Sequence, residues 1–368
     1  MEAEIRFEQV DRPRGKKCKL SLDVAGETVG RAEINDLRMR LSGTWVRMGG
    51  IANVVVQSQH RGKGYASRLM REAVSYMERE GYAVSILFGI PDFYHLFDYV
   101  PVIPEYNVSV AVRDTEQLAA TTTVREARQE DHAGLLDLYT RVNASRSGAV
   151  RRTRVFYEAL ADEVWWGHPT RILVTGEAGH PTGYMLLEGD PATLSVMDVI
   201  VPAEHVTTAG ASLIAWLGQE ALARRRERLR LPVPPDEPLV GLLCGIGCKV
   251  ETTYPANYGG MGRIVGLAAL ATAVEPAIAD RVRALPVEAR PGRVELDCPD
   301  TGQAHLEFGS GSVLTIRLPQ QQLLQLLMGY RGIDELWREH GGDDAGDLAA
   351  IRALFPAGYP HMWELDHF

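Results

Sequence analysis

Cysteine is scarce in this chain. Four occur in 368 residues, Cys18, Cys244, Cys248 and Cys298, too few and too scattered to staple a small core. Free thiols in a reducing compartment are therefore the default. The Cys244-Gly245-Ile246-Gly247-Cys248 run has no second pair of ligands at zinc spacing, so no metal site is expected. Long apolar runs are missing too. The longest, residues 264–274, ends at Glu275-Pro276 and is well short of the roughly 20 residues a bilayer span needs. No basic-then-apolar leader opens the sequence, and a cytoplasmic protein without a membrane segment is the expectation. An excess of positive charge is lacking as well: 39 Lys and Arg stand against 48 Asp and Glu, a net charge of −9. No basic face for nucleic acid can dominate. The sole basic cluster, residues 224–230, reads as a solvated, cation-rich helix end.

What is present begins with length, which suggests two or three domains. The most informative stretch is Val54-Val55-Val56-Gln57-Ser58-Gln59-His60-Arg61-Gly62-Lys63-Gly64-Tyr65-Ala66. It reads as a strand, a glycine-bearing turn and the start of a helix. Two glycines let the backbone turn tightly, and the first N–H groups of a helix lack intrahelical partners, so this junction suits an anion such as phosphate. Behind it Leu69, Met70, Ala73, Val74 and Met77 recur at helical spacing, with Arg68, Arg71, Glu72 and Glu78 around the other side. The pattern is neither a nucleotide-binding G-x-x-x-x-G-K-[ST] loop nor a dinucleotide G-x-G-x-x-G.

The loop resembles the acetyl-CoA pyrophosphate loop of the GNAT acetyltransferases, Q/R-x-x-G-x-G/A, with Arg61, Gly64 and Ala66 in its fixed places. A β-rich segment, 83–88, follows Gly81 and should be the next parallel strand. After it, Tyr94-His95-Leu96-Phe97-Asp98-Tyr99 resembles the family's Y-x-x-x-G-F element, with Asp98 in place of glycine and Tyr99 in place of phenylalanine. The resemblance implies acetyl-CoA as co-substrate. It assigns the backbone of Val54, Val55 and Val56 to the pantetheine and acetyl carbonyl, and Arg61, Gly62, Lys63, Gly64, Tyr65 and Ala66 to the pyrophosphate. Tyr94 is then the acid that protonates the leaving thiolate.

A second, weaker copy follows. Residues 124–139 resemble the opening strand and helix of another GNAT unit, and later strands correspond, but the phosphate-loop position reads Thr207-Thr208-Ala209-Gly210-Ala211-Ser212 and has lost the arginine. Residues 258–265 read as this repeat's last strand. From about residue 274 the pattern changes to three alternating strands, 293–298, 304–308 and 313–318, then helices at 322–328 and 348–354. This is an α+β signature. It resembles a sterol-carrier-protein-like domain, although its helix leucines fit a core better than a lipid tunnel.

The expected fold is therefore α/β and α+β: tandem GNAT domains, the first active (1–120) and the second degenerate (121–272), followed by a sterol-carrier-protein-like domain (273–368). This order of parts resembles the Eis (enhanced intracellular survival) family of acetyltransferases. In that family the chain terminus supplies a carboxylate as general base, which implies Phe368 here, with Asp366 and His367 as alternatives. The family also implies a homo-oligomer, hexamer or lower, and a small-molecule or peptide amine acceptor of aminoglycoside, polyamine or lysine type. An acidic chain favours a cationic amine by steering. One departure bears on the acceptor. Strands expected at 4–10 and 17–24 are separated by some six residues, so the helices that usually cover the acceptor site have no room. Two other readings stay open: a catalytically silent acyl-CoA-binding module, and a lipid carrier acting through the last domain.

Overall fold

The structure is a computed structural model that describes residues 3–12, 15–162, 164–165, 168–188, 194–340 and 345–368. It opens with an antiparallel meander, β1 (Ala3–Arg12), β2 (Gly15–Val24), β3 (Glu27–Leu41) and β4 (Thr44–Val56). Two of its turns carry consecutive residues with positive φ, Ala25-Gly26 (55° and 84°) and Ser42-Gly43 (53° and 95°). That is the geometry a two-residue hairpin needs to match the twist of its strands. β1 and β2 pair along their whole length, from Ala3 opposite Val24 to Arg12 opposite Gly15, with only residues 13–14 between them where two helices were expected to be missing. β4 leads through a loop into α1 (Tyr65–Arg79), and β5 (Val84–Gly89) returns parallel to β4. The helix buries the five residues its spacing selected, Leu69, Met70, Ala73, Val74 and Met77, and Gly81 turns the chain at φ 74° behind it.

Two short strands, β6 (Val100–Ile103) and β7 (Glu105–Ala111), close the first unit. The second unit contains β8 (Arg125–Glu126), α2 (His132–Val142), α3 (Arg154–Asp162), β9 (Val164–Trp165), β10 (His168–Glu177), β11 (His180–Glu188), β12 (Val196–Ile200), α4 (Ala211–Ala223), β13 (Arg228–Leu231), α5 (Pro238–Ile246) and β14 (Cys248–Thr253). The next strand, β15 (Gly259–Ile264), departs from expectation. It inserts between β5 and β6 in the first sheet, giving the order β1-β2-β3-β4-β5-β15-β6, while β7 crosses over to lie between β13 and β14. The reason lies in its glycines. A Cβ on Gly260 would stand 2.7 Å from Ile103, and one on Gly262 would stand 2.8 Å from Ile86 and 2.9 Å from Val102. The strand is shaped to pass between the bulky residues of the first unit. The two units thus exchange strands and share their boundary.

The third unit begins with α6 (Leu267–Ala284). β16 (Pro291–Cys298), β17 (Gly302–Glu307) and β18 (Ser312–Arg317) form a sheet of order β17-β16-β18, followed by α7 (Gln320–Met328), α8 (Ile333–His340) and α9 (Ala345–Leu354). Leu323, Leu324, Leu326 and Leu327 of α7 are buried in one cluster with Ile86, Val102 and Ile103 of the first sheet. They are core, not tunnel lining. A tail from Phe355 then returns between the first two units, with Met362, Trp363 and Leu365 buried. No helix among the described residues is long and apolar enough to cross a membrane.

Candidate active site

The site begins with a defect in β4. Arg31 faces Val55 and Glu33 faces Ala52, so β4 holds one residue more than β3 across that interval. Asn53 stands there at φ 50°, and its Nδ2 donates to Glu33 Oε2 at 2.9 Å. A bulge of this kind bends its strand. β4 and β5 pair from Met48–Val84 to Ile51–Leu87 and no further. Beyond that point Val55 and Val56 pair only with β3 and Val54 lies within the bulge, leaving a strand edge open toward β5. An open edge of N–H and C=O groups accepts an extended, amide-bearing chain by strand addition.

At the end of that edge lies the loop. Gly62 and Gly64 sit in the left-handed region, at φ 75° and 76°, with nothing within 4 Å of where a Cβ would stand. The N–H groups of Gly62, Lys63, Gly64, Tyr65, Ala66 and Ser67 make no hydrogen bond among the described residues; the first helical one is Arg68 N–H to Gly64 C=O at 3.0 Å. Six free donors at a helix N-terminus, flanked by exposed Arg61 and Lys63, fit a diphosphate. The second unit differs here. Its corresponding stretch, Val206–Gly210, is a π-helical turn; Gly210 is helical at φ −60° and a Cβ on it would meet Leu239 of α5 at 3.2 Å. The donors are used inside the helix and the space is filled, which explains why this unit lost the loop's residues.

Tyr94 stands at the head of a short 3₁₀ turn, Tyr94–Phe97, with its ring 2.7 Å from where a Cβ on Gly89 would be. It packs edge-on against Phe93 and Tyr99, and its hydroxyl makes no hydrogen bond among the described residues. Burial raises its pKa above the ordinary tyrosine value. Asp98, which replaces the resembled motif's glycine, adopts φ 62°, the left-handed conformation that Asp tolerates better than most residues. Tyr99 is not a passive phenylalanine substitute. Its hydroxyl donates to Ser85 Oγ at 2.7 Å, and Ser85 donates to Gly49 C=O at 2.8 Å, tying β5 to β4 below the point where they part.

Phe368 reaches the same place from the other face. Its ring lies 2.7 Å from where a Cβ on Gly50 of β4 would stand and 6.0 Å, centroid to centroid, from Phe88 of β5. Phe88 and Gly89 alternate across β5, so Tyr94 and Phe368 flank the gap from opposite sides. His367 stacks on Phe88 at 3.6 Å, its Nε2 lies 3.2 Å from Met362 C=O, and burial pushes its pKa down to about 4. Asp366 is committed elsewhere. Arg152 of the second unit, fully buried, donates from Nε and Nη2 to the two Asp366 oxygens at 2.9 Å each, while Tyr139 donates to Oδ2 at 2.9 Å. The third arm of Arg152 reaches Asp198, whose pKa burial raises and whose Oδ1 has no hydrogen-bond partner. Nearby, Trp363 Nε1 donates to Asn143 Oδ1 at 3.0 Å and His361 N–H donates to Ser147 C=O at 2.8 Å. Neither the arginine clamp nor the bulge was legible in the sequence, because each joins residues far apart in the chain or rests on a register shift.

A cavity of about 580 Å³ opens beside Phe368, on the sheet face opposite α1. Its floor is β2 to β4. Its wall, where the family's usual helices are absent, is Val150, Arg151, Arg152 and Phe156 of the second unit. The cavity is thus walled by the neighbouring unit of the same chain.

A strand edge parting from its neighbour, with a loop of free N–H donors at a helix start beside it, is the arrangement of an acyl-CoA-dependent transferase fold. The comparisons agree. Residues 3–102 match the acetyltransferase (GNAT) domain family. Among solved structures, the chain is similar over its length to a GCN5-related N-acetyltransferase from Kribbella flavida (22% identity, 95% of this chain and 88% of that one, TM-score 0.68). It is also similar to a conserved protein described as a probable N-acyltransferase from Enterococcus faecalis V583 (15%, 96% and 89%, TM-score 0.72). A third similar structure is Eis1 from Mycobacterium abscessus (18%, 100% and 100%, TM-score 0.65). No curated protein matches the chain. The fold is that of tandem GNAT units with an additional domain, and the protein is a transferase with acetyl-CoA as co-substrate.

Proposed function

We propose that this protein transfers the acetyl group of acetyl-CoA to an amine by direct attack. The observation that carries this reading is the pairing of the open β4 edge with six unpaired N–H groups at the start of α1. When bound, the co-substrate brings an acyl thioester activated toward amines. Val54, Val55 and Val56 hold its amide-bearing arm through their backbone, and Arg61, Gly62, Lys63, Gly64, Tyr65 and Ala66 hold the diphosphate. An ammonium cannot attack, so a base must keep the amine neutral; the terminal carboxylate of Phe368, a residue lining the cavity, serves as that base in this reading. A departing thiolate leaves more readily when protonated. Tyr94, whose pKa burial raises, keeps its proton at neutral pH and stands on the opposite side of the gap to supply it. Base and acid on opposite faces suit a reaction in which the nucleophile enters on one side and the thiol leaves on the other. With Asp366 held by Arg152 and His367 held against Phe88, the terminal carboxylate is the better base of the three.

Calorimetric titration of acetyl-CoA into wild type and Gly64→Glu tests the site. One site per chain, lost in the variant, is expected, because the new carboxylate would stand among the donors that take the diphosphate. Unchanged binding in the variant would remove the loop from the site. Thiol release with an amine panel then tests transfer, and an extension added after Phe368 is expected to slow it.

A further inference from the structure

The cavity beside Phe368 has a charge opposite to that of the chain. Two of its acids are already neutralised in pairs: Glu33 takes Lys17 and Asn53, and Asp366 takes Arg152. Three cations on its rim, Arg12, Lys16 and Arg151, form no ion pair among the described residues, and Arg12 acts on Glu33 only through space, helping Lys17 to lower its pKa. Asp11 stands across the β1–β2 pair from Lys16 without forming an ion pair. Arg12 and Arg151 come from different units and meet at the same opening, one from the end of β1 and the other from the segment before α3. The Phe368 carboxylate offsets one of these charges and leaves the rim positive. A polycationic acceptor entering here would meet like charge at close quarters, and desolvating it against unpaired guanidinium groups would cost more than the net −9 of the whole chain returns at a distance.

Resting on the acetyltransferase reading above, we infer that the acceptor of this site is an amine that also carries an anionic group, a carboxylate or a phosphate. The amine lies at the Phe368 carboxylate, toward the β4 bulge at Ala52 and Asn53. The anionic group lies at the rim, where Arg12 and Arg151 offer planar, forked donors matched to a carboxylate or phosphate. Recognition of this kind discriminates sharply against an uncharged analogue, because the guanidinium groups are then left facing the ligand without a partner.

The test uses matched pairs, with thiol release from acetyl-CoA as the readout. Free amino acids are compared with their carboxamides, phosphoethanolamine with ethanolamine, and spermidine and kanamycin serve as polycations. The anionic member of a pair should give a kcat/KM at least about tenfold higher, mostly through KM. Activity confined to the amino acids would identify a carboxylate as the anion, and activity confined to phosphoethanolamine would identify a phosphate. In Arg151→Ala and Arg12→Ala the preference should shrink, and Arg151→Lys should restore part of it. Equal rates for carboxylate and carboxamide, or preferred turnover of spermidine or kanamycin, would overturn the inference while leaving amine acetylation intact. No thiol release with any amine, in a protein that binds acetyl-CoA, would overturn the transfer reading and this inference with it.

Discussion

Replacing Asp366 with alanine should detach the C-terminal tail without disturbing the glycine loop before α1. The carboxylate accepts two N–H bonds from Arg152 and one O–H bond from Tyr139, in a setting where Arg152 is fully buried and stacked 4.0 Å over Tyr139 and 4.6 Å over Phe156. Its removal leaves Arg152 with Asp198 as its one ion-pair partner among the described residues, and a long hydrogen bond to the Tyr184 hydroxyl. Breaking a buried pair costs about 3–5 kcal/mol. Tail docking has little margin against that loss. Burying Met362, Trp363 and Leu365 contributes roughly 5–9 kcal/mol, whereas ordering the backbone of residues 359–368 costs about 10 kcal/mol or more. The polar cluster therefore decides whether the tail docks. A loss of about 3 kcal/mol lowers the docked-to-undocked ratio by roughly 150-fold. Carboxypeptidase release of Phe368, followed by mass spectrometry, should become rapid in Asp366→Ala. The kcat for thiol release should drop by at least about tenfold, while acetyl-CoA affinity, set on the other face of the sheet, should hold. Asp366→Asn, which keeps an acceptor for Arg152, should fall between. Wild-type kcat in Asp366→Ala with an accessible tail would refute the role of the tail; wild-type resistance to carboxypeptidase would refute the role of the clamp.

Three other outcomes follow from the same geometry. Tyr94→Phe should lower kcat by roughly 10²-fold with little effect on acetyl-CoA affinity; unchanged turnover would leave Tyr94 a packing residue. Gly50→Ala would place a methyl group 2.7 Å from the Phe368 ring, so kcat should fall while thermal unfolding moves little, because the ring belongs to a tail that can shift; equal activity would show that the tail's position is not critical. In Asp131, burial raises the pKa but is outweighed by the Arg125 guanidinium and the N–H groups of Arg128 and Gly179, which bring it down to about 2. Folding lowers this pKa, so the associated stability, roughly 2 kcal/mol, is present above about pH 4 and is lost as pH falls toward 2. Urea unfolding of Asp131→Asn should show that deficit at pH 7 and a flatter response between pH 4 and 2.

Legibility in the sequence tracked locality. The α1 stripe, the Gly81 stop, the glycine loop and the parallel return of β5 rest on residues within a few positions of one another, and each is found where spacing placed it. The same holds for the three strands and two of the helices of the third unit, whereas α6 and α8 were not read from the sequence. Residues 258–265 failed because a strand's partner is not written in its own alternation; only Gly260 and Gly262, read against Ile86, Val102 and Ile103, reveal it. The arginine cluster at 224–230 was half right. Arg224 ends α4, but Arg228 to Arg230 belong to β13, and Arg228 donates to Ser109 Oγ at 2.9 Å. Asn53 signalled nothing by type, yet its positive φ marks the bulge on which the site depends.

Where the first unit has its open N–H loop, the second has a π-helical turn, and it keeps the sheet and helices that pack. That combination has a physical reason. The first unit lacks the helices that ordinarily wall the acceptor side, because β1 runs directly into β2. If the proposed mechanism holds, something else must exclude water from the sheet face beside Phe368, and Phe156 and Ala159 of α3 with residues 150–152 stand there. The same unit supplies Tyr139, Asn143, Ser147, Arg152 and Asp198 to fix the tail whose last residue faces the gap. A free tail of ten residues would place a carboxylate at a given point only rarely, since each unfixed residue dilutes it. Docked on a rigid neighbour, it gains a fixed position without belonging to the domain it serves. On this reading the second unit needs its surface and buried polar cluster and not a CoA loop, and a π-helical turn at Val206–Gly210 stands where the first unit has its open donors.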